Sequence, residues 1–149
     1  IDNNGDVLPE VKDILEVISE NKLNLGTGHI SGREILALVK EAENYSIPYI
    51  VLNHPLLIGT GDEMLTEIMR PGILIEHCYV PNHPQYFDVN LIINSIKRFG
   101  IENSLIGDFG NYDGLPNICD SLLEFGLDID TVRKLSTDQP FKLLKRFLD

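Results

Sequence analysis

Four apolar runs in this chain each lead to a side chain that can hold a proton or a cation. His29 follows KLNLGTG, His54 follows IPYIVLN, Glu76 and His77 follow ILI, and Asp108 follows NSLIG. Imidazole and carboxylate suit zinc, manganese or iron, and a catalytic centre made from them needs the groups to converge while one coordination position stays open to water. A lone histidine at a strand end is more often a hydrogen-bonded structural residue. Three histidines and an aspartate at equivalent ends of successive strands instead fit a concave site. His29, His54 and Asp108 are the expected metal ligands. Glu76 and His77 are expected behind them, and His83, in the loop PNHPQ, is expected at the surface or behind the ligands.

The elements that must position these residues follow from periodicity. LPEVKDILEVISE carries Leu8, Val11, Ile14, Leu15 and Ile18 at helical spacing. Ser31 with Glu34 three residues later gives the reciprocal capping pattern before the helix GREILALVKEAENY. IPYIVLNHP is a β-branched run, DEMLTEIMR a short helix stopped by Pro71 and Gly72, and ILIEHCYV a third apolar run. DVNLIINSIKRFG is helical in period, NSLIGDFG is the fourth run, and LPNICDSLLEFG and the segment to the end are helical again. A leading helix followed by four strand–helix repeats implies an α/β fold with parallel strands and right-handed crossovers. Either an open doubly wound sheet or part of a closed eight-stranded barrel satisfies that order.

Alternation along a strand puts Leu25, Thr27 and His29 on one face, and likewise Ile50, Leu52 and His54, Ile73, Ile75 and His77, and Ser104, Ile106 and Asp108. On this parity, four strands aim their last inward residue at one axis. A slip by one residue turns Glu76 inward in place of His77.

Composition narrows the function classes. The chain has 149 residues and a formal net charge of −11, with no cluster of Lys and Arg able to neutralise phosphates, so nucleic acid is not an expected partner. No apolar run reaches the roughly 20 residues that span a bilayer, and no signal peptide is recognisable. Cys78 and Cys119 match no paired-cysteine spacing and are expected as thiols in a reducing, cytoplasmic setting. No linker or low-complexity segment interrupts the chain, so residues 1–149 are expected to form a single unit.

At GHIS, NHP, EHC and GDFG the sequence resembles the amidohydrolase superfamily, most closely an uncharacterised branch of predicted metal-dependent hydrolases, over nearly the whole chain. The resemblance implies metal ligands from the ends of the fifth, sixth and eighth barrel strands, which fall on His29, His54 and Asp108. In members with one metal the sixth-strand histidine orients the attacking water, a role that would fall on His54. That family opens with a strand ending in His-x-His and draws a bridging Lys or Glu from its fourth strand, and nothing before Leu8 supplies either. The fold implied is therefore the C-terminal half of a TIM-type (β/α)8 barrel, strands five to eight, with the N-terminal half absent; a full barrel needs about 250 residues. The closing segment departs from the family's Thr-x-Asn-Pro at Gln139 but keeps Pro140, expected to stop a helix.

The function implied is hydrolysis of an amide, ester, lactone or related bond in a small molecule, with Asp108 and His54 as the catalytic residues: Asp108 takes the water's proton and passes it to the leaving group, and His54 holds the metal or the water. A divalent metal, zinc foremost with manganese or iron as the other suited ions, lowers the pKa of water toward ~7. A metal-dependent phosphoesterase, or a non-catalytic half barrel serving as a binding module, satisfies the same residues. The expected partner is the other half of the barrel or a second copy of the chain.

Overall fold

In the computed structural model, which describes residues 1–79, 88–108 and 113–145, strands β1 (Leu25–Gly26), β2 (Ile50–Leu52), β3 (Ile73–Tyr79) and β4 (Ser104–Asp108) alternate with helices. The helices are α1 (Pro9–Glu20), α2 (Gly32–Ala42), α3 (Asp62–Ile68), α4 (Val89–Phe99), α5 (Gly114–Glu124), α6 (Ile129–Arg133) and α7 (Gln139–Leu144). The fold class is α/β, with a four-stranded sheet in the order β1-β2-β3-β4 and parallel pairing. His83 lies outside the described residues. Among the described residues, no helix is long and apolar enough to cross a membrane. The chain divides into two compact units, Ile1–Ile73 and Leu74–Asp149.

In the first unit, Leu25 pairs with Ile50 and Gly26 with Val51. The core beneath them is made by Leu15 of α1, Ile35, Val39 and Ala42 of α2, and Leu65 and Ile68 of α3, all buried with Leu25, Ile50 and Leu52. Helix α2 starts where the capping pattern placed it. The Glu34 backbone N–H donates to Ser31 Oγ (3.4 Å), and the Ser31 backbone N–H donates to Glu34 Oε2 (2.9 Å). Two otherwise orphaned donors are thereby satisfied. Helix α3 ends at Ile68, and Arg70 Nη1 donates to the carbonyls of Glu67 (2.8 Å) and Ile68 (2.7 Å), placing a cation where the helix dipole is negative. Strands β1 and β2 are shorter than the apolar runs suggested, so His29 and His54 lie beyond their ends rather than on them.

In the second unit, five residue pairs join β3 to β4, from Ile75↔Ser104 to Tyr79↔Asp108. Ile106 belongs to a core with Val89, Ile92, Ile93 and Ile96 of α4 and Ile118 and Leu122 of α5. His77 is the register partner of Ile106 and so shares its helix-covered face. Glu76 and Cys78, with Leu105 and Gly107, take the other face, which is the one-residue slip of the expected parity. Because β3 continues to Tyr79, Glu76 and His77 are internal to the strand, not at its end. A second correction concerns Pro140. A π-helical stretch, Lys134–Asp138, leads directly from α6 into α7, and Pro140 is the second residue of α7. It lies within a helical run rather than stopping one.

Candidate functional site

Two turns, not two strands, bring His29 and His54 together. Beyond Gly26 the chain passes through Thr27 and then Gly28, whose φ of 62° is open to glycine and costly for other residues. His54 itself has φ 34°, one of two non-glycine residues with positive φ among those described. Histidine is among the side chains enriched in this region, yet the conformation still costs on the order of 1 kcal/mol, and such outliers gather at functional sites.

Asn53 clips the two turns to each other. Its Oδ1 accepts the Gly28 N–H at 3.0 Å, and its own backbone N–H donates to Thr27 Oγ1 at 3.1 Å. The amide thus extends the β1–β2 ladder past the point where regular pairing stops. Gly26 leaves room for it, since a Cβ there would lie 3.0 Å from Asn53 Oδ1. With the turns held, the His29 and His54 Nε2 atoms stand 2.7 Å apart, ring centroids 4.9 Å apart and planes inclined at 54°. That separation is a hydrogen bond in which one ring donates and the other accepts. His29 is exposed and His54 half-buried, so the pair is open to a ligand.

The pair fits a cation. Zinc binds imidazole nitrogen at about 2.0–2.1 Å, and two tetrahedral ligands then lie roughly 3.4 Å apart. Opening the pair by well under 1 Å, which small ring rotations supply, would admit a metal between nitrogens that already converge.

The second unit holds the acidic candidates. Asp108 is the last residue of β4, and Gly114, the buried first residue of α5, leaves it space: a Cβ on Gly114 would fall 2.7 Å from Asp108 Cβ. Glu76 leans over Gly107, where a Cβ would meet Glu76 Oε1 at 2.8 Å. The Cys78 thiol is pushed up to about 12, first by burial and then by the negative charges of Glu76 and Asp108. His77 differs from both. It is buried, neither ring nitrogen has a hydrogen-bond partner among the described residues, and burial lowers its pKa to about 4 despite the opposing charge of Glu76.

Of the residues singled out from the sequence, His29 and His54 are brought into contact, Asp108 ends β4 as expected but by alternation on the helix-covered face of Ile106 and not on the inward face, Glu76 faces away from the helices, and His77 faces them. Thr27, Asn53, Cys78 and Gly114 were not anticipated as site residues. Cys78 had a signal, since it stands two residues from Glu76 and alternation puts both on one face. Asn53 carried the weaker signal of a polar amide between an apolar run and a His-Pro turn.

No curated protein and no solved structure matches the chain. A family model described as "Family of unknown function (DUF6282)" matches residues 1–76, the stretch that includes His29, His54 and Glu76. Since that match covers just over half of the 149 residues, the chain belongs to this family of unknown function.

Proposed function

We propose that the chain is a metal-dependent hydrolase of amidohydrolase type, built on four strand–helix repeats of a (β/α)8 barrel. The observation that carries this reading is the His29–His54 pair: two imidazole nitrogens 2.7 Å apart, one borne on a positive-φ backbone and both held by the Asn53 clip. A purely structural hydrogen bond has no need of two solvent-accessible titratable rings on adjacent turns, whereas a cation held between them uses both.

In this reading His29 and His54 hold a divalent cation, zinc first, and Asp108 is the proton carrier. When bound, the cation supplies Lewis acidity toward a carbonyl oxygen and toward water. The Asp108 carboxylate takes a proton from the attacking water and returns it to the leaving group. Substrates are small molecules with an amide, ester, lactone or cyclic imide bond.

Zinc titration by calorimetry tests the site, in the wild type and in His29→Ala and His54→Ala. Saturable binding that either substitution abolishes is expected; binding unchanged in both variants overturns it. For catalysis, Asp108→Asn in the metal-loaded protein should lower hydrolysis of any accepted ester or lactone by about 10²-fold or more, because an amide is no general base. Turnover equal to wild type would remove Asp108 from the mechanism.

A further inference from the structure

We propose that two copies of this chain associate through α1 of each copy docking on α7 of the other. The inference is independent of the hydrolase reading, since it rests on surfaces that the candidate site does not use.

Helix α1 carries more apolar surface than its own unit covers. On a helical projection its apolar residues, Leu15, Val11, Ile18, Ile14 and Val17, sweep roughly 160° of the circumference. Leu15 is fully buried and Val11 and Ile18 are half-buried, but Ile14 and Val17 at the far side of the arc are each 55 % exposed. Helix α2, in the same unit, leaves no large hydrophobic side chain exposed. The uncovered part of α1 is bordered by exposed Asp13, Glu16 and Glu20. An element seated there must bring an apolar face with basic neighbours.

Helix α7 presents that combination. Phe141 and Leu144, one turn apart, are 51 % and 55 % exposed, and the adjacent Lys142 and Lys145 are exposed beside them. The apolar pairs match in spacing: Ile14 and Val17 are three residues apart, as are Phe141 and Leu144, so each pair forms a ridge along one helix face. The charged borders are opposite in sign.

Charge also selects the arrangement. With a net charge of −11, two copies repel at long range, and an α1-to-α1 contact would set acidic border against acidic border. Contact of α1 with α7 places lysine against carboxylate instead. Each copy carries both faces, so α1 of one copy can meet α7 of another.

The test is the solution mass of the chain by light scattering and sedimentation over a range of concentrations. A mass twice the 16.8 kDa of one chain is expected, falling to one chain on dilution or in high salt. Lys142→Glu with Lys145→Glu should weaken the pair by about tenfold or more at low salt, and Glu16→Lys with Glu20→Lys in that same chain should restore it. Val17→Ser and Phe141→Ser, at exposed positions, should each give a monomer with an unchanged circular dichroism spectrum. A monomer at every concentration overturns the proposal, as does a dimer indifferent to both charge reversals, or a ladder of larger assemblies in place of a closed pair.

Discussion

Replacing Gly114 with Ala sets two known effects against each other. Gly114 opens α5, and no positive φ requires glycine there. On helix propensity alone Ala is favoured by up to about 1 kcal/mol, less at a first-turn position. Against that, the new Cβ would lie 2.7 Å from Asp108 Cβ, 3.5 Å from Asp108 Cα and 3.8 Å from Asp108 Cγ. Carbon atoms pack best at about 3.5–4.0 Å, so the first contact is short by roughly 1 Å. The atom that must yield is a Cβ fixed to the β4 backbone, not the far end of a flexible side chain. Overpacking of this kind costs about 1–3 kcal/mol. The steric effect should therefore win, leaving Gly114→Ala less stable by about 1–2 kcal/mol. In urea this lowers the unfolding midpoint by roughly 0.5–1 M. Asp108→Gly removes the opposing Cβ, so in the double variant the cost of the Gly114→Ala change should shrink by about 1 kcal/mol, a coupling read from a double-mutant cycle. A Gly114→Ala variant more stable than wild type, or two substitutions whose costs simply add, would refute the claim that this glycine exists to seat Asp108.

Two other outcomes follow from the same geometry. Ser31→Ala removes the hydroxyl that accepts the Glu34 N–H and should cost about 1 kcal/mol in chemical denaturation, while Ser31→Thr should retain most of the cap; a Ser31→Ala variant as stable as wild type would show that the cap contributes nothing. His77 makes stability depend on pH: its folded-state pKa of about 4 lies below the ordinary 6.5, so the unfolded chain binds a proton that the folded chain refuses across that window. Stability should fall by about 3 kcal/mol as pH drops from above 6.5 to about 4, with no further contribution from this residue below it. His77→Leu should flatten that slope, and an unchanged slope in urea melts between about pH 7 and pH 4.5 would show that His77 is not its source.

The α/β order was legible because each helix repeats its apolar residues at a period of 3.6 and each strand lies in a short apolar run, as in Ile35, Leu38, Val39 and Ala42 against Ile50, Val51 and Leu52. The start of α2 was legible to the residue, since Ser31 and Glu34 satisfy specific backbone donors. What periodicity does not encode is where pairing stops. The run before His29 reads as a strand, but Gly26 and Gly28 let the chain turn early, and an amide from Asn53 takes over the ladder. Parity counted from the run's end therefore carried no information about His29 and His54, which meet through turn geometry. It misdirected the reading of β3, where the strand extends past Glu76 and His77. Which face of β3 the helices cover is decided by Ile106 across the register, a contact that lies 29 residues away in sequence. The π-helical stretch before α7 was invisible for a similar reason: Lys134–Asp138 has ordinary helical composition, and only the hydrogen-bond spacing distinguishes it.

The brevity of β1 bears on how this protein avoids sticking to other chains. An edge strand recruits foreign strands by offering a row of unsatisfied backbone groups, and long flat edges are the usual seeds of amyloid-like growth. β1 has two residues, Leu25 and Gly26, and beyond them the chain rises into the Gly28 turn with its polar groups engaged by Asn53. Two residues are too few to template a neighbouring strand. The Asn53 amide, besides setting two histidines face to face, thus caps the sheet's first edge and protects a β-branched sequence from aggregation.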